Sequence, residues 1–175
     1  MSGTFKAARE SPGSYVLSDL PGGEDIRIDR GQGLWLPGKR PGDVTFSGRP
    51  ASFPQIVTAR ETYTLVRRIT RGGWLSTDYE VDFLDAAQTP RFTAQLPAGQ
   101  LSSFSLGGEN YEIELTARFI FRATLRRSGA EVAQFRETTN FWSFTSRKTY
   151  ALETQTAVDN TALACAFFMA TLKAY

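Results

Sequence analysis

Residues 162–170, Ala-Leu-Ala-Cys-Ala-Phe-Phe-Met-Ala, carry no polar side chain, and this run constrains the fold more than any other feature of the chain. Asp159 and Asn160 precede it as an N-cap pair, so a helix is expected from Thr161 to Lys173. Wound at the helical period, the run leaves no stripe for water, and a helix that is apolar all round has to be enclosed. Its nine residues are too few to cross a bilayer, which takes about 20. The enclosure is therefore expected to be protein.

A helix with its side chains is about 10–12 Å across. A barrel of about eight strands has an interior wide enough only for its own side chains. A closed barrel of about eleven or more strands can hold a central helix. The other solution is a β-sandwich or half-barrel with the helix laid over one open end. Both require a β-rich remainder, and the chain offers roughly twelve candidate strands. The expected fold is mainly β: an antiparallel β-barrel enclosing a hydrophobic C-terminal α-helix. At 175 residues the chain suits one domain. It reads as Pro/Gly-rich short strands over 1–60, main hairpins over 61–157 and the terminal helix over 158–175.

Six of the eight prolines and nine of the fifteen glycines fall before residue 60. Between them lie Tyr15-Val16-Leu17, Ile26-Arg27-Ile28, Leu34-Trp35-Leu36 and Val44-Thr45-Phe46, which read as brief strands joined by turns, with order expected from about residue 13. From residue 61 the strands lengthen. Tyr79, Val81 and Phe83 alternate with Glu80, Asp82 and Leu84. A loop at Arg71-Gly72-Gly73 would pair Tyr79 with Leu65 and Val81 with Tyr63. Phe119, Phe121, Ala123 and Leu125 alternate in the same way and lead to a turn at Ser128-Gly129-Ala130. Phe141–Phe144 and Lys148–Glu153 complete the expected strands.

The chain contains no histidine and one cysteine, Cys165. Nucleophile systems that use imidazole, imidazole or thiolate zinc sites and an internal disulfide are thereby excluded. The pairs Gly22-Gly23, Gly72-Gly73 and Gly107-Gly108 read as turns, not phosphate loops, and no cofactor is implied. Asp78, Glu80 and Asp82 alternate along one strand, about 6.6 Å apart on one face. Such a spacing fits a carboxylate acid/base pair, although an exposed polar strand face gives the same pattern. A calcium loop starting at Asp78 would need glycine where Phe83 stands.

Arginine outnumbers lysine sixteen to four at a net charge of only +2, which does not mark a dedicated nucleic-acid binder, and no sequence-specific nucleic-acid partner is expected. Arg118, Arg122 and Arg126 share one strand face, and Arg127 follows at the turn. Forked guanidinium donors suit phosphate headgroups. Ion pairing with Glu112 and Glu114 is the plainer use of the same residues. The N-terminus lacks the apolar core of a signal peptide, so an intracellular, soluble protein is expected, with peripheral membrane contact open to it.

Leu125-Arg126-Arg127-Ser128-Gly129-Ala130-Glu131-Val132-Ala133 resembles the strand, polar-Gly turn and strand of the tubby C-terminal-like superfamily, which includes phospholipid scramblases and LURP-one-related proteins. Asp159–Tyr175 is similar to the helix that threads that family's barrel, and the resemblance covers about residues 60–175. It implies a twelve-stranded barrel and a non-catalytic module that docks on anionic lipid headgroups or membrane surfaces. The alternatives are a small-molecule or hydrolytic barrel using Asp78, Glu80 and Asp82, and a protein-interaction domain.

Overall fold

The computed structural model describes the chain except for residues 1, 2, 12, 13, 32–37, 47, 73–76, 118–120, 140–147 and 175. The first strands are β1 (Gly3–Ser11), β2 (Ser14–Ser18), β3 (Ile26–Asp29), β4 (Thr45–Phe46), β5 (Arg49–Pro50) and β6 (Gln55–Val57). The long hairpins follow as β7 (Thr62–Gly72), β8 (Thr77–Leu84), β9 (Pro90–Leu96) and β10 (Leu101–Leu106). The remainder is β11 (Glu109–Ala117), β12 (Arg122–Arg127), β13 (Ala130–Glu137), β14 (Thr149–Thr154) and α1 (Asn160–Ala174). Twelve strands close in the order β1-β14-β13-β12-β11-β10-β9-β8-β7-β6-β3-β2, and β4 and β5 form a separate two-stranded ribbon. Every pairing is antiparallel.

The helix runs through the barrel. Residues 162–171 are all at most 1% exposed, so no face of α1 meets water over three turns. Phe167 sits among Tyr15, Tyr150, Phe121 and Phe135 at ring-centre distances of 5.3, 5.1, 6.0 and 5.9 Å, mostly edge to face. Thr171 is the one polar side chain in the span, and its hydroxyl donates to the Phe168 carbonyl at 2.7 Å. A central helix, rather than one covering an open end, is thus the arrangement adopted.

Both helix ends are tied to the wall. The Asp159 carboxylate accepts the Ala162 N–H at 3.1 Å, the expected N-cap bond. The Asn160 amide donates to the Pro21 carbonyl at 3.0 Å. At the other end Arg30 donates to the Thr171 carbonyl at 3.0 Å, and the Lys173 ammonium to the Gly99 and Leu101 carbonyls at 2.7 and 2.8 Å. Arg30 thereby fills a carbonyl that a helix terminus leaves without a partner, and Lys173 ties the last turn of α1 to the β9–β10 turn of the wall.

Two expectations are corrected. In the β7–β8 hairpin Tyr79 lies opposite Ile69 and Val81 opposite Arg67, not Leu65 and Tyr63. Gly72 is the last residue of β7 instead of part of a turn, and β8 begins at Thr77, so the reversal falls four residues later in the sum of paired positions. An even shift keeps Leu65, Val81 and Phe83 on the inner face, which is why the burial pattern alone could not reject the shorter loop. Order also begins earlier than residue 13, because β1 closes the barrel between β2 and β14. The Leu34-Trp35-Leu36 and Phe141–Phe144 segments lie outside the described residues.

Between β3 and β6, Gly38, Ala51 and Phe53 lie against the outside of the barrel. Phe53 caps the outward-facing Val66 and Leu84, a small apolar cluster separate from the core. The Gly38 N–H donates to the Arg67 carbonyl at 2.7 Å. Gly31 has φ +70°, and a Cβ there would stand 2.5 Å from the Ser52 carbonyl oxygen, so only glycine fits this crossing.

Phe167→Ala and Phe168→Ala should each lower unfolding free energy by about 3–5 kcal/mol in urea titrations. Deleting residues 160–175 should leave an insoluble chain, whereas a soluble, cooperatively melting product would contradict the enclosed-helix core.

Candidate functional site

The barrel interior is filled by α1, which leaves three places for chemistry among the described residues: the outer wall and the two ends. Asp78, Glu80 and Asp82 do share the outward face of β8, but each is already engaged. Asp82 is only 7% exposed, unlike the solvated strand face that its alternation suggests. Arg68 grips it with two donors at 2.8 Å each, and the Thr93 hydroxyl adds a third bond at 2.8 Å. Glu80 pairs with Arg68 at 3.1 Å and accepts from Gln95 at 2.8 Å. Asp78 accepts the Ala98 N–H at 2.8 Å and borders a cavity of about 180 Å³. One arginine holding two carboxylates is an outer-wall clasp between β7 and β8.

The arginines divide by strand geometry. Ala123 and Leu125 point inward on β12, so Arg122 and Arg126 face out, while Arg127 turns to the barrel mouth. Arg126 is bound to Glu114 at 3.0 Å and lies opposite Glu112 and Glu131. Arg118 lies outside the described residues. Arg122 is exposed, forms no ion pair among the described residues, and stands directly opposite exposed Arg136 on β13. That row continues through Ala151 on β14 to exposed Lys6 on β1. Arg136 reaches Glu153 at 3.7 Å and Lys6 reaches Asp19 at 3.5 Å, long contacts between well-exposed groups. Arg136 and Lys6 were not singled out in the sequence, because only the register of four strands brings them beside Arg122.

The second feature is the mouth around the start of α1. A recess of about 790 Å³ is bounded by the turns that follow β2, β6 and β10, by Arg127 and by residues 159–161. Glu24, Glu61, Glu109 and Asp159 line it, with Arg60 and Arg127. Tyr63 and Tyr111 lie at its base, 7% and 3% exposed. The Tyr63 hydroxyl donates to the Glu61 carboxylate, and the Arg127 guanidinium bonds the Tyr111 hydroxyl. Tyr63 titrates above the usual phenol range, chiefly through burial and then through the Glu61 bond. Burial raises Tyr111 as well, against the pull of Arg127. Of this set the sequence singled out Arg127 and Asp159, the latter only as a helix cap; the other charges come from turns far apart in the chain.

Cys165 is fully buried on α1, and burial pushes its thiol well up, so it is part of the core and not a nucleophile. Among the described residues no three potential metal ligands cluster, and no helix is long and apolar enough to cross a membrane. Comparison of the chain with models of protein families, with curated proteins and with solved structures finds no match.

Because the folded state holds Tyr63 and Tyr111 above the ordinary phenol value of about 10, it favours their neutral forms. Their contribution to stability should be complete below about pH 10 and fall as pH rises beyond it. Ultraviolet difference titration should show a late-ionising phase that shrinks in Tyr63→Phe and again in Tyr63→Phe/Tyr111→Phe.

Proposed function

We propose that the chain is a non-catalytic binding module that docks on anionic lipid headgroups through the outer-wall row of Arg122, Arg136 and Lys6. The observation that carries this reading is the direct opposition of Arg122 and Arg136. Like charges facing each other across a strand pair cost stability, so the pair makes little sense as a fold-holding device. Two guanidinium forks side by side offer paired donors to phosphate oxygens. The filled interior supports a surface role over a ligand cavity within the barrel. Kinship with the tubby-like barrels belongs to the same proposal and rests on a terminal helix threaded through twelve antiparallel strands.

A basic side chain near an anionic membrane contributes about 1 kcal/mol of attraction. Flotation with phosphatidylcholine vesicles, with and without phosphatidylserine, should recover the protein only with the acidic lipid. Arg122→Ala/Arg136→Ala should bind about 30-fold more weakly, while Arg126→Ala, removing a residue already held by Glu114, should change little. Added salt should weaken the binding. Equal recovery on neutral and acidic vesicles at low salt would remove the proposal.

A further inference from the structure

The mouth of the barrel is a separate matter from the outer wall. Its recess of about 790 Å³ has the size of a small-molecule site, for which about 300–1,000 Å³ is usual. Its base is firm. Between Tyr63 and Tyr111 runs a chain of ring contacts through Phe92 and Phe104, at 5.7, 6.1 and 5.0 Å. The two tyrosines hold groups of opposite charge, Glu61 on one side and Arg127 on the other.

Neither group is neutralised by a partner. Among the described residues Arg127 forms no ion pair, and neither do Glu24, Glu61, Glu109 or Asp159. Two of these carboxylates have structural work. Glu24 accepts the Ala59 N–H at 2.8 Å, and Asp159 caps α1. Glu61 and Glu109 are exposed on the rim, and Glu61, although it accepts the Tyr63 hydroxyl, keeps lone pairs for a ligand.

Arg127 bonds the Tyr111 hydroxyl and, at 3.4 Å, the Ala157 carbonyl, and the remaining donors of its guanidinium are open to an oxyanion. A simple anion is nonetheless a poor ligand here, because the lining carries four carboxylates against two guanidiniums. Its field repels net negative charge and gathers cations. The chemistry that satisfies both features is a carboxylate accompanied by extra positive charge. We infer that the mouth binds a small basic zwitterion, with its carboxylate on Arg127 and its cationic end on Glu61 and Glu109. Arg127 thereby selects the carboxylate, and the rim selects the accompanying cation.

The test uses L-arginine and agmatine, the same molecule without its carboxylate, titrated into the isotopically labelled full chain. Agmatine has the larger net positive charge, so tighter binding of L-arginine reads the Arg127 contact and not the general field. Both probes should shift the amides of Glu61, Tyr111 and Arg127, with L-arginine bound at least about tenfold more tightly, one charge-assisted bond's worth. Arg127→Gln should bring L-arginine down to the agmatine affinity or below it, while Glu61→Gln and Glu109→Gln should weaken both probes. The two rim variants keep the test open should Arg127→Gln fail to fold. Agmatine binding wild type as tightly as L-arginine overturns the inference, and so does the absence of shifts at the mouth with either probe.

Discussion

The enclosure of α1 is the constraint on which the rest of this structure depends. Ten successive residues, 162–171, are almost fully removed from water. Such a helix needs a wall on every side. A closed antiparallel sheet supplies it without leaving a long unpaired edge, and twelve strands give a bore that an eight-stranded barrel lacks. The alanines at 162, 164, 166 and 170 keep the helix slender. Phe167 fills the space toward β2, β12, β13 and β14 with edge-to-face rings. Strands from the first sixty residues are as necessary to this wall as the long hairpins, since β1, β2, β3 and β6 complete the circle.

A filled bore moves function outward. Carboxylates and arginines that a hollow barrel would turn toward a ligand instead stand on the outer wall or at the ends. On β7 and β8, Arg68 binds Glu80 and Asp82 together, and the chain between β3 and β6 passes over the neighbouring Val66 and Leu84. Charge there stabilises pairing. On β12 and β13, by contrast, Arg122 and Arg136 face each other without a shared acid among the described residues, and at the mouth Arg127 faces a recess with no ion pair among them. At both places charge is arranged against local stability.

The fold was legible largely because helix enclosure is a one-dimensional signal. Nine apolar residues behind Asp159-Asn160 determine both the helix and the need for a wide wall. Period-two alternation then placed the inner faces of β8 and β12 correctly. It could not set the β7–β8 register, since a shift by four residues leaves the same side chains inside. Nor did it find β1, where Gly3–Ser11 carries small and charged residues with a weak strand signature. The sites were less legible for the same reason. Arg122 stands out on its own strand, but Arg136 and Lys6 join it only through pairing across β13, β14 and β1. Glu24, Glu61, Glu109 and Arg127 meet at the mouth because antiparallel strands return their turns to one end of the barrel.

The central claim is that α1 has no route to water short of opening the wall. Amide hydrogen exchange of residues 163–171 under native conditions measures this most directly. The account predicts that these amides exchange only with global unfolding, as slowly as the central residues of β8 and β12, and together with them as denaturant is added. Exchange of the helix at the rate of a frayed terminus, with the strands still protected, would contradict it.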